Sequence, residues 1–213
     1  MLECFIRAIL GGVCIGIGGV AYLSTENHVV GAFLFSLGLL TIYTFSLNLY
    51  TGKVCYIPAK GRRFVPEVLV ALTGNAVGTV GLGCLLRATK LQKLIPLTQK
   101  LVAAKLADTV PSTVVMAVLC GFLMSIAVLG YAKLGDGFGR HLILVLPVMV
   151  FILCGFEHSI ADLFYFSLAG MWGGKALLYI VLIAAGNLAG GVVLPLGERL
   201  LENRKHRQPI GIK

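Results

Sequence analysis

Six stretches of this chain are almost purely apolar over about 20 residues, the length a helix needs to cross a bilayer. They lie at roughly 4–24, 28–50, 65–87, 109–132, 141–165 and 174–198. Inside lipid every backbone N–H and C=O must find a partner within the protein. Apolar runs of this length, without strand-like alternation, meet that demand as helices. Composition agrees: 13% of the residues are charged and 58% are hydrophobic, against about 25% charged in a soluble domain. The fold class read from the chain is an all-α membrane protein with six transmembrane helices, and the lipid bilayer is its first partner.

The charges orient it. The connection from Gly52 to Phe64 carries Lys53, Lys60, Arg62 and Arg63 and no acid, and the tail carries Arg204, Lys205, Arg207 and Lys213 against Glu202. With six spans both lie on one side. Placing both termini in the cytoplasm puts two-thirds of the lysines and arginines there, as the positive-inside bias requires. The expected location is the bacterial plasma membrane. The third connection resists, since Arg87, Lys90, Lys93, Lys100 and Lys105 face only Asp108. A basic outer mouth would focus anions. The net charge of +9 does not point to nucleic acid, because it is scattered through short loops and tails.

The two halves, about 1–100 and 105–213, echo each other within one pore domain. Ala8-Ile9-Leu10-Gly11-Gly12 resembles Ala117-Val118-Leu119-Cys120-Gly121, and Gly74-Asn75-Ala76-Val77-Gly78 resembles Gly186-Asn187-Leu188-Ala189-Gly190. Three spans per half make a 3+3 inverted repeat, an architecture that places sites near the midplane. The middle span of each half reads as a broken helix. Polar residues interleave in Ser46-Leu47-Asn48-Leu49-Tyr50-Thr51-Gly52, and the fifth span is interrupted at Gly155 and continues through Glu157, His158, Ser159 and Asp162. Ionisable groups at that depth are costly and mark function, and a histidine can pass protons near neutral pH.

No Cys pair has the spacing of a metal or redox motif, so the six cysteines read as small buried side chains, with no metal and no cofactor. The first span needs no cleavable signal peptide ahead of it.

Four of these motifs resemble the formate/nitrite transporter family over nearly the whole chain. They are Gly155-Phe156-Glu157-His158-Ser159-Ile160-Ala161, Asn48-Leu49-Tyr50-Thr51, the Gly-Asn pairs at Asn75 and Asn187, and Lys105 ahead of the fourth span. The resemblance implies an aquaporin-like protomer with its own pore, assembled as a homopentamer. It implies passage of small monovalent weak-acid anions such as formate, nitrite, hydrosulfide, acetate or lactate. By position, Phe35, Leu39, Tyr50, Met124 and Phe151 would form the constrictions, and Thr51 and His158 would face each other at the centre, with Lys105 nearest on the outer side. Glu157, Asn75, Asn187 and Asn48 would support the breaks. Gly121 and Asp162 depart from the family's usual asparagines, and its amphipathic helix ahead of the first span has no counterpart in this reading.

The implied mechanism follows from solvation. A bare anion crosses an apolar slit only at great cost, whereas a neutral acid does not. His158 would supply the proton and Thr51 would hold its tautomer. Glu157 would accept backbone N–H groups at the break, and Asp162 would be a helix-end or interfacial charge. The alternative is an aquaporin-like channel for small neutral solutes, against which stands the lack of Asn-Pro-Ala at either break. An enzyme or haem protein fits poorly: neither H-E-x-x-H nor G-x-S-x-G occurs, and only His158 of four histidines lies deep in a span.

Overall fold

The computed structural model describes residues 1–207 as helices and turns, with no strand among them. Four helices are long and apolar enough to cross a membrane: α1 (Leu2–Leu23), α6 (Val65–Leu86), α8 (Val110–Lys133) and α11 (Gly174–Arg207). They occupy the first, third, fourth and sixth apolar stretches. The second stretch is divided between α2 (His28–Phe35) and α3 (Leu37–Thr44), followed after a gap by the short α4 (Tyr50–Lys53) and α5 (Ile57–Lys60). The fifth is divided into α9 (Phe138–Leu153) and α10 (Ser159–Ala169). Lys213 of the basic tail lies outside the described residues.

The starts of the long helices follow from local chemistry. Pro66 and Pro111 stand in the first turns of α6 and α8, where the missing N–H costs nothing. The Thr109 hydroxyl accepts from Ser112 N at the head of α8. The long helices pack in pairs, α1 on α6 and α8 on α11. Small residues permit the approach. A Cβ on Gly12 would lie 2.3 Å from the Asn75 carbonyl oxygen, and one on Gly121 would lie 2.2 Å from that of Asn187. At Gly121 the glycine is therefore a packing requirement.

The sequence reading expects no helix in the third connection, yet it contains one of thirteen residues, α7 (Ile95–Ala107). Pro96 in its first turn and the i, i+4, i+7 spacing of Thr98, Val102 and Lys105 were the overlooked signals. The α7 helix packs on α10, with Thr98 and Val102 buried. It brings the basic segment against the broken fifth stretch. The cysteines divide: Cys55 and Cys120 are buried, while Cys84 and Cys154 are exposed, against expectation. Large apolar side chains are exposed too, among them Ile17, Leu69 and Val181 at about half or more.

Candidate functional site

Both interruptions are built the same way from different residues. After α3, Phe45 N bonds Thr41 O and Leu47 N reaches back to Ile42 O, with Ser46 in the left-handed region at φ 50°. After α9, Cys154 N bonds Val150 O and Phe156 N reaches back to Phe151 O, with Gly155 at φ 68°. Each is a helix stop whose left-handed residue folds the last carbonyls back into hydrogen bonds. Glycine suits that conformation, and serine adopts it at a cost.

Each interruption is then held by one asparagine from a long helix. Asn75 accepts from Tyr50 N at 2.7 Å and donates to Ala8 O at 2.7 Å and Asn48 O at 2.8 Å. Asn187 accepts from Ser159 N at 2.9 Å and donates to Ala117 O at 2.9 Å and Glu157 O at 2.8 Å. Both amides are fully buried and satisfy backbone groups that the breaks would otherwise leave unpaired. Asn48 adds a bond from its own amide to Cys4 O at 3.1 Å.

His158 emerges from the second interruption and heads α10. Its Nδ1 accepts from Ala161 N at 3.2 Å, and its Nε2 lies 3.0 Å from Thr51 Oγ1. A backbone N–H can only donate, so Nδ1 is the acceptor. The neutral ring then carries its proton on Nε2 and donates it to the threonine oxygen. Phe151 stacks on the imidazole, with centroids 5.2 Å apart and planes 10° apart, and Phe35 meets Phe151 edge-on at 6.0 Å. Phe35, Leu39, Tyr50, Met124 and Phe151 are all buried in one apolar cluster. The Tyr50 hydroxyl is pinned to Ala184 O at 2.9 Å.

Lys105 is not a free cation. Its Nζ lies 2.5 Å from Glu157 Oε2 and 3.0 Å from Asp162 Oδ1, and all three side chains are largely or wholly buried. One sequence expectation changes here. The partner of the Glu157 carboxylate is a lysine from α7, while Asn187 satisfies the backbone. Asp162 stands in the first turn of α10, the helix-end position expected for it, and is 1% exposed.

A cavity of about 730 Å³ opens beside this cluster, lined by Tyr22, Lys100, Lys105, Phe151, His158 and Asp162 among others. A second, of about 410 Å³, lies at the other interruption and is lined by Tyr43, Leu49, Lys53, Tyr131 and Arg140 among others. Phe35, Leu39 and Met124 line neither. The residues overlooked in the sequence are the cavity-lining Tyr22, Tyr165, Tyr43, Tyr131 and Arg140. For Tyr165 a signal existed, because His158, Ala161, Asp162 and Tyr165 repeat at one helical face. The others come from distant elements and carried none.

A family model described as formate/nitrite transporter matches residues 1–197. No curated protein sequence matches the chain. A solved pentameric formate channel with formate bound superposes with a TM-score of 0.79 at 22% identity, covering 95% of this chain and 97% of its own. An ion channel described as of the FNT family superposes at 0.81 and 18% identity, covering 94% and 90%. At such identities the likeness shows the fold.

Proposed function

The chain belongs to the formate/nitrite transporter family, a membrane transport protein rather than an enzyme, and from that premise we propose that it conducts small monovalent weak-acid anions. Formate, nitrite, hydrosulfide, acetate and lactate are the candidate substrates. In this reading the chain forms six spans in a 3+3 inverted repeat, the interrupted stretches each counting as one span. Five copies assemble in the bacterial plasma membrane with both termini in the cytoplasm, and each protomer has its own pore.

The observation that supports the reading best is the buried bond between Thr51 Oγ1 and the Nε2 of His158, a residue that lines the larger cavity. A polar pair buried among apolar rings needs a purpose, because the same volume filled by apolar side chains would pack without it. The anion enters the larger cavity and meets the Nε2–H and the threonine hydroxyl. The Nε2–H donates a hydrogen bond to the anion there, the neutralising proton comes from hydronium in the cavity, which leaves as water, and the neutral acid passes Phe35, Leu39, Tyr50, Met124 and Phe151. Stacking by Phe151 and the Ala161 N–H bond to Nδ1 hold the ring so that only Nε2 faces the pathway. Lys105, paired with two carboxylates, positions the second interruption rather than serving as a free cation.

Reconstitution of the full chain into liposomes with an internal pH probe tests this. The expected result is flux of weak acids above that of empty vesicles, with proton movement accompanying each anion. Flux of water or glycerol without weak-acid flux would establish the aquaporin-like alternative instead.

A further inference from the structure

The α10 helix turns one face to the larger cavity. His158, Ala161, Asp162 and Tyr165 all line it, at the i, i+3, i+4, i+7 positions of a helix face. His158 caps the start of α10, and Asp162 and Tyr165 follow one and two turns along it. Both carry a polar atom that is buried and has no hydrogen-bond partner among the described residues, Asp162 Oδ2 and Tyr165 Oη. Asp162 is 1% exposed and Tyr165 is 3% exposed. A buried polar group without a partner is expensive and calls for an explanation. The other carboxylate oxygen of Asp162 is already taken by Lys105.

The histidine leaves a proton-supply problem. Its Nδ1 is engaged by Ala161 N–H, so a proton cannot be reloaded from the back of the ring while α10 keeps its cap. The proton that accompanies the anion has to arrive from the cavity side. Asp162 lines that cavity, and its Oδ2 is the carboxylate oxygen without a partner among the described residues.

We propose that Asp162 Oδ2 and the Tyr165 hydroxyl form a proton-loading subsite of the larger cavity, where an incoming weak-acid anion receives its proton before it reaches His158. This rests on the weak-acid reading above. A hydronium ion in the cavity first protonates the free carboxylate oxygen and leaves as water. Lys105⁺ and Glu157⁻ then balance, and the cluster is neutral and admits an anion, which accepts a hydrogen bond from Tyr165 Oη. The Asp162 O–H bond breaks, the proton passes to the anion's oxygen, and its electron pair stays on Oδ2. The products are a neutral acid and a carboxylate held by Lys105. The cluster is now negative, which disfavours return of the anion and lets the neutral acid go on to His158 and Thr51. The titratable and charged groups facing Asp162 are Lys105 from α7, Glu157 from the interruption, Cys120 from α8, and Tyr22 and Tyr165 above it. From α6, Arg87 reaches only the far end of α10, at Ser167 O.

The test uses proteoliposomes of the full chain, with formate as probe. Initial formate rate and internal pH are followed as external pH falls from neutral to mildly acidic. Asp162→Asn keeps the shape but carries no exchangeable acid, so the acid-side rate is expected to fall about tenfold or more and its dependence on pH to flatten. Asp162→Glu is expected to keep the dependence. Tyr165→Phe should raise half-saturation about fivefold, the worth of one hydrogen bond, with the maximal rate nearly kept. A wild-type pH dependence in Asp162→Asn, in a preparation where formate flux is present and His158→Ala reduces it, overturns the subsite and leaves the weak-acid reading standing. Absence of wild-type flux of formate, nitrite, hydrosulfide, acetate and lactate alike defeats that reading itself. If Asp162→Asn does not assemble, unchanged half-saturation and unchanged pH dependence in Tyr165→Phe overturn the subsite.

Discussion

The two interruptions share a frame and differ in what they carry. Ser46 matches Gly155 in its left-handed backbone, and Asn75 matches Asn187 in its three hydrogen bonds. At the position where the first interruption holds Asn48 and Leu49, the second holds Glu157 and His158. Leu49 leaves the start of α4 without a side-chain cap, whereas His158 caps α10 through Nδ1. Lys53 pairs with a half-exposed Glu67, whereas Lys105 is sealed between two carboxylates. The backbone problem of stopping a helix inside lipid is thus solved twice by one device, and the ionisable chemistry is loaded onto one copy only.

That comparison can be broken most forcefully at the asparagines. Asn75→Ala and Asn187→Ala each strip partners from three buried backbone groups, at an expected cost of about 3 to 6 kcal/mol. The two losses should be similar, as read by thermal unfolding of the detergent-purified oligomer. A large difference between them would show that the frames are not equivalent.

Next come the lysines. Lys105→Met leaves Glu157 and Asp162 facing each other without a cation, and breaking a buried ion pair costs about 3 to 5 kcal/mol. Lys53→Met should cost about 1 kcal/mol or less, since its partner is nearer water. Equal losses in the same unfolding assay would contradict the burial asymmetry.

His158→Leu is expected to lower proton-coupled formate flux about 100-fold, while Leu49→Met at the matching position should change it less than about twofold. Flux assays on the two variants side by side decide whether the chemistry is confined to the second interruption.

The smallest effect lies in the backbone. Ser46→Gly relieves a left-handed serine and should stabilise by about 1 kcal/mol, whereas Gly155→Ala introduces the same strain and should destabilise by about 1 to 2 kcal/mol. Opposite shifts in melting temperature are the expected signature.

Much of this was legible beforehand. The apolar stretches and their polar interruptions can be read along the chain, because solvation by lipid acts on each residue separately. Asn75 and Asn187 stood out through their Gly-Asn pairs, and the facing of Thr51 and His158 was expected only through the family resemblance. The connection holding Lys105 was misread, because its few apolar positions repeat too weakly to outweigh its charges. The partners of Glu157 and Asp162 were also missed: Lys105 is 52 residues from Glu157, and nothing local announces such a pairing.

By itself the sequence determined that this is a helical membrane protein whose depth is broken in two places, since hydropathy and helix-stopping residues act locally. The family followed from motifs of the same local kind. Only the tertiary structure decided which groups meet. It paired Lys105 with two carboxylates, fixed the proton of His158 on the nitrogen that faces Thr51, and left one oxygen of Asp162 buried without a partner beside a cavity. Those outcomes depend on distances between helices remote in sequence, and ion pairing and hydrogen bonding are decided within a few ångströms.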